Sequence, residues 1–160
     1  MKIKNLIGPG ITFVSFVLVI LSLFISYFSL ETLLGATGVS VLENFGSGFE
    51  NPAFTTISAV AIIVGAVALA AALTAWVAKI AGIKCNLLAL ITKVAGLVAA
   101  VAAVLVIVFG ILFMTQNSSN LGTVAPSVGF FFAAIGLLVG AGATLLQDCT
   151  VCKKSQKRKK

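Results

Sequence analysis

The cysteines are the residues of this chain best suited to chemistry. Cys149 and Cys152 form a Cys-x-x-Cys pair, and Cys85 is the third cysteine. Such a pair is typical of redox motifs and of zinc sites, but a structural zinc ion needs four ligands. Asp148 with the three cysteines could supply four, as could cysteine pairs from two copies, yet the chain has no histidine and no second Cys-x-x-Cys. The sequence therefore predicts no metal and no cofactor.

Two other roles suit Cys85, Cys149 and Cys152, because all three lie at the edge of an apolar run. In a eukaryote they would be candidates for S-palmitoylation. In another cell they would be reduced, inert thiols.

Catalytic chemistry has no support in the rest of the chain. Three of the four acidic residues, Glu31, Glu43 and Glu50, share one stretch that holds no lysine or arginine. Neither a nucleophile–base pair, a carboxylate dyad nor a phosphate-binding glycine loop can be assembled from the sequence. We therefore expect no catalytic residues and no enzyme activity.

The composition of the chain is that of a protein dissolved in lipid. Of 160 residues, 60% are hydrophobic and only 9% are charged. Soluble domains carry about 25% charged residues, so a soluble domain of this composition could not cover its own surface with polar groups. The length allows one domain, and we expect residues 1–160 to form a single transmembrane domain.

Four apolar runs are long enough to cross a bilayer as helices. The first, from Pro9 to Leu30, has no charge, is too long for the core of a signal peptide and is followed by no A-x-A cleavage site. Lys79 ends the second run, with Trp76 one turn inside it, and Lys93 lies near the edge of the third. The predicted spans are residues 9–30, 54–78, 87–114 and 126–146.

The positions of the basic residues predict the orientation. With four spans, all 11 lysines and arginines fall on one side, and the loop of residues 31–53 falls on the other. Because cytoplasmic loops are enriched in basic residues, both termini are expected in the cytoplasm. The predicted fold is an all-α membrane protein, a four-helix up-down bundle in a bacterial inner or eukaryotic plasma membrane, with the endoplasmic reticulum as a second candidate.

Small residues predict how the helices associate, since apolar helices in lipid depend on close packing. The first and fourth runs each carry small residues at helical spacing, and the fourth contains a Gly-x-x-x-Gly. They are expected to pack together, within one chain or between copies. The predicted packing residues are Ser15, Ser22, Ser26, Ser29, Gly129, Ala133, Gly136, Gly140 and Ala143.

A basic tail, residues 149–160, ends the chain. Basic residues beside a membrane span gain about 1 kcal/mol each from anionic lipid. We expect them to contact headgroups of an anionic cytoplasmic leaflet and not nucleic acid, because no aromatic residue lies among the charges. The residues are Lys153, Lys154, Lys157, Arg158, Lys159 and Lys160.

The loop of residues 31–53 is the predicted contact surface for a partner. It combines apolar residues and glycines with an acidic rim, and an apolar segment of this kind usually covers something. The alternative is that this loop folds over the outer end of its own bundle or lies in the membrane interface. The predicted contact residues are Val39, Val41, Leu42, Glu43, Phe45, Phe49 and Glu50.

The arrangement resembles in outline the tetraspan families of cell junctions and myelin, such as the claudins. Claudin-type chains carry a Trp, a Gly-Leu-Trp and two cysteines in the first outer loop, whereas residues 31–53 contain neither Trp nor Cys. No family residue is therefore carried across. We expect a structural or interaction subunit that presents the outer loop, or assembles laterally as a homo-oligomer or within a membrane complex. The alternative is a small oligomeric channel or transporter.

Overall fold

Four long helices and three short strands make up the computed structural model, which describes residues 7–32, 35–40, 52–83, 86–117 and 122–157. The helices are α1 (Ile7–Phe24), α2 (Pro52–Ile80), α3 (Asn86–Asn117) and α4 (Val128–Lys157). The strands are β1 (Ser26–Thr32), β2 (Gly35–Ser40) and β3 (Gly122–Pro126). The chain is mostly helical, and all four helices are long and apolar enough to cross a membrane.

The strands correct the expectation of an all-α fold. They form an antiparallel sheet in the order β2-β1-β3. Helix α1 ends at Phe24 and not near residue 30, so Ser26 and Ser29 belong to β1 and not to a helical packing face. The physical reason is that residues 26–32 find strand partners on both sides, in β2 and in β3, and these paired hydrogen bonds replace further helical ones.

The helices pack in a ring, in which α1 and α3 each contact α2 and α4, and a smaller diagonal contact joins α2 and α4. Glycines lie where the helices approach most closely. A Cβ atom on Gly96 would overlap the Thr144 hydroxyl of α4, and a Cβ on Gly110 would overlap the ring of Phe130. Close approach of this kind increases the dispersion contacts that hold helices together in lipid.

The contact between α1 and α4 contains most of the small residues that the sequence singled out. A Cβ on Gly136 would lie 2.8 Å from Cγ2 of Val19, and a Cβ on Gly140 would lie 3.1 Å from Cβ of Ser15. Ser15 and Ser22 of α1 are buried. On α4, Gly129 and Ala133 are buried and Ala143 is half-buried. In this structure the two helices meet within one chain.

On α3, small side chains dominate the buried face and large apolar side chains dominate the exposed face. Four alanines are buried there, together with Val106 and Phe113, whereas several valines and leucines are exposed. Such an arrangement suits a hydrocarbon solvent, which solvates exposed Val and Leu at no cost. The buried alanines are Ala95, Ala99, Ala102 and Ala103, and the exposed residues include Val94, Leu97, Val101 and Val104.

Substitution of Gly136 tests the contact between α1 and α4. Gly136→Leu forces a side chain against Val19 and the Ser15 carbonyl, so we expect the free energy of unfolding to fall by about 1–3 kcal/mol. Gly142→Leu on the same helix is the matched control, because a Cβ there meets nothing within 4 Å. The measurement is the thermal unfolding midpoint in detergent, and equal midpoints for the two variants would contradict this packing.

Candidate functional site

The sheet formed by β1, β2 and β3, here called the sheet platform, joins two distant parts of the chain. Its central strand β1 follows α1, while β3 immediately precedes α4. Ser29 pairs with Gly38 on one side and with Ala125 on the other. The Ser29 hydroxyl also donates to the Ala125 carbonyl oxygen at 3.4 Å. The strands of the α1–α2 connection, β1 and β2, and the strand of the α3–α4 connection, β3, are therefore held in one unit.

A β-bulge at Tyr27 attaches the sheet platform to the bundle. Ser26 pairs with Ser40 and Phe28 with Val39, so Tyr27 is an extra residue in β1. Neighbouring side chains of a regular strand point to opposite faces, but a bulge redirects one of them. As a result the consecutive side chains of Tyr27 and Phe28 are both buried, with 1% and 3% of their surface exposed.

These two side chains form an aromatic cluster with Phe113 of α3 and Phe130 of α4. The Phe28 and Phe113 rings stack with centroids 4.7 Å apart, and the Tyr27 and Phe130 rings meet edge-to-face at 5.5 Å. Aromatic pairs of this geometry contribute about 0.5–1.5 kcal/mol beyond the area that they bury. The cluster therefore fixes the central strand to two helices at once.

Backbone contacts hold the start of α4 against the same strand. The Ser127 N–H donates to the Tyr27 carbonyl oxygen at 3.0 Å. Gly129 then passes so close that a Cβ atom would lie 2.8 Å from the Ser26 carbonyl oxygen. Only glycine permits this approach without displacement of the strand.

Two buried hydroxyls lie beside the aromatic cluster, on Tyr27 and on Ser58 of α2, and each residue is 1% exposed. Within the described residues, neither hydroxyl meets a partner in hydrogen-bonding geometry. Burial raises the pKa of Tyr27 above its ordinary value of 10.0. The nearby Ser58 hydroxyl lowers this pKa, but its effect is smaller than that of burial. The phenol is thus held neutral in an apolar environment.

Several hydroxyls within the helices, unlike that of Ser58, bond to their own backbone. Ser22 Oγ donates to the Val19 carbonyl oxygen at 2.6 Å, and Thr74 Oγ1 donates to that of Ala71 at 2.9 Å. These bonds satisfy the hydroxyls locally. Across the part of the chain that the structure describes, no group of three or more Cys, Asp or Glu side chains could hold a metal ion.

Most of the predicted partner-contact residues lie outside the described ranges. Val39 lies on β2, paired with Phe28. Residues 41–51, which follow β2 directly, are not described. They contain the other predicted contacts, which are Val41, Leu42, Glu43, Phe45, Phe49 and Glu50.

The end of α4 contains part of the predicted tail. The backbone of α4 continues to Lys157, so Cys149, Cys152, Lys153 and Lys154 are on the helix. Cys85 and residues 158–160 lie outside the described residues. The headgroup-contact and acylation hypotheses for these residues stay predictions.

The sheet platform and its aromatic cluster were not predicted from the sequence. A local signal was present, because Phe28-Ser29-Leu30-Glu31 alternates apolar and polar residues with the period of a strand. This strand signal directly follows a longer apolar run, and the two together were interpreted as one helix. Comparison with protein-family models and with curated proteins finds no match to the chain.

Titration of Tyr27 tests its burial directly, because it is the single tyrosine of the chain. In the unfolded chain the phenol should ionise near pH 10, whereas the folded chain should show little tyrosinate absorbance at about pH 11. Above pH 10 the unfolded state then binds fewer protons than the folded state, so stability should fall as pH rises. Tyr27→Phe is the spectroscopic blank, and titration of the folded chain near pH 10 would show that Tyr27 is accessible.

Proposed function

We propose that this chain is a four-span integral membrane subunit with a structural or interaction role. In this proposal the sheet platform and residues 41–51, which follow β2, are presented to a partner protein or to a second copy. The observation that carries the proposal is the attachment of β1 to α3 and α4 through the aromatic cluster. Binding segments commonly sit on loops that a rigid scaffold positions.

The contacts between helices support an up-down bundle. Gly96 and Gly110 of α3 approach Thr144 and Phe130 of α4, respectively, so the two helices run in opposite directions. The same argument holds for α1 and α4, where Val19 approaches Gly136 and Ser15 approaches Gly140.

Helices α2 and α3 also run in opposite directions by this criterion. Gly65 approaches Ala102, while Lys79 Nζ lies 3.2 Å from Thr92 Oγ1. With α4 antiparallel to both α1 and α3, the contacts favour four successive crossings of the bilayer.

The distribution of charge supports one orientation of this bundle. Lys79 and Lys93 lie at the end of the α2–α3 pair opposite to the sheet platform, and the basic tail follows α4. Since basic residues favour the cytoplasmic side, we infer cytoplasmic termini and a sheet platform on the outer face of a plasma membrane. The alternation of helices and the charge bias agree without any further assumption.

The surface offered to a partner combines two chemistries. The described part of β2 exposes Gly35, Thr37 and Gly38, which present backbone and small side chains. The residues that follow add phenylalanines and glutamates. Apolar anchors with a polar rim are the usual composition of a protein–protein interface.

The test is capture of partners from native membranes in mild detergent. The double variant Phe45→Ala/Phe49→Ala removes two aromatic anchors, and we expect captured partner to fall roughly tenfold or more, because buried aromatics dominate interface energies. The matched control is Phe13→Ala/Phe24→Ala, which removes two exposed phenylalanines of α1. The readout is the identity and amount of co-purified protein, including extra copies of this chain.

Two results would contradict the proposal. One is capture that is unchanged by Phe45→Ala/Phe49→Ala while the protein remains folded. The other is solute flux through liposomes that depends on the purified protein, which would favour the oligomeric channel or transporter instead.

A further inference from the structure

A long apolar groove runs along the surface of the α2–α3 pair. It consists of two adjoining hollows of about 380 and 370 Å³, and Val64 and Val98 line both. The lining extends over residues 56–71 of α2 and 90–105 of α3, and Thr56 at one end is its single polar residue. At 1.5 Å per residue this is roughly 21 Å of helix, a large part of one bilayer crossing.

The groove has alanines at its base and larger apolar residues along its sides. Ala61, Ala68 and Ala102 are buried, whereas Val64 and Leu97 are 45% and 61% exposed. The larger residues thus form two ridges that face the surrounding hydrocarbon, and the groove lies between them. A narrow, flexible and wholly apolar occupant fits these walls.

A positive charge is fixed where the groove ends between the same two helices. Lys79 of α2 reaches across to α3 and donates from Nζ to Thr92 Oγ1 at 3.2 Å, next to the groove residue Ile91. The ammonium also lies 4.7 Å from the centroid of the Trp76 ring. Lysine and tryptophan together are typical of the headgroup level of a membrane.

We propose that this groove binds one acyl chain of an anionic phospholipid whose phosphate lies at Lys79. The apolar walls match the chain, and the ammonium at the end of the groove matches the charge of the headgroup. The inference rests on the transmembrane placement in the proposed function, but not on the existence of a protein partner. Loss of lipid binding would therefore leave the capture experiment above unaffected.

The headgroup is tested with purified full-length protein and native mass spectrometry of bound lipid. Phosphatidylglycerol should be retained more strongly than phosphatidylcholine with the same acyl chains. Lys79→Gln should lower phosphatidylglycerol affinity by about fivefold and leave phosphatidylcholine unchanged. Lys93→Gln is the matched control, because Lys93 is an exposed lysine of α3, whereas the Lys79 ammonium is held between α2 and α3 by Thr92.

The acyl-chain site is tested by obstruction at its middle. Val64→Phe places a ring where the two hollows meet and should reduce retention of both lipids at least threefold. Val77→Phe introduces the same ring on α2 at a position that is 66% exposed and outside the lining, and should change nothing. Thermal unfolding midpoints establish that both variants are folded.

Photolabelling of the wild type makes the test independent of the variants. A phosphatidylglycerol with a diazirine on its acyl chain should label residues 56–71 and 90–105 in preference to the exposed faces of α1 and α4. Uniform labelling would overturn the proposal. Equal lipid retention by Val64→Phe and Val77→Phe would also overturn it. A third contradicting result is a wild-type dimer that Val64→Phe dissociates without loss of bound lipid.

Discussion

Backbone N–H and C=O groups find no water inside a bilayer, and this constraint decides the architecture of the chain. Each helix satisfies its own backbone groups, so helices are the element that can cross. A three-stranded sheet has open edges and cannot lie exposed in hydrocarbon. The change from helix to strand after Phe24 therefore places a limit on the first crossing, and α4 starts at Val128 immediately after β3. In the proposed placement, the sheet platform marks one boundary of the apolar layer, and Lys79 with Trp76 marks the other.

Hydropathy was sufficient to predict the helices that are long and apolar enough to cross a membrane. Spans expected at residues 54–78 and 87–114 correspond to α2 (Pro52–Ile80) and α3 (Asn86–Asn117), because long uninterrupted apolar runs have one economical conformation in lipid. Hydropathy was insufficient for residues 25–30, since apolar character alone does not distinguish a strand from a helix. Ser26 and Ser29 continued the helical spacing of Ser15 and Ser22 although they lie on β1.

The missing information was non-local. The partner of Ser29 in β3 is Ala125, which lies 96 residues further along the chain, and no local sequence pattern predicts that pairing. The bulge at Tyr27 was equally unpredictable, because it depends on the pairing of Ser26 with Ser40 and of Phe28 with Val39. The packing of Gly136 and Gly140 was easier to predict, since small residues at helical spacing identify a packing face. Whether that face packs against α1 or against another copy could be decided only from the structure.

The central claim of this account is that four crossings place the sheet platform outside and every cysteine inside. Accessibility to a membrane-impermeant maleimide in intact cells tests it most directly. The wild type, with Cys85, Cys149 and Cys152, should react only after the membrane is permeabilised. Thr37→Cys in a cysteine-free background should react in intact cells, because Thr37 is exposed on β2. Labelling of the wild type in intact cells, or labelling of Thr37→Cys only after permeabilisation, would contradict the account.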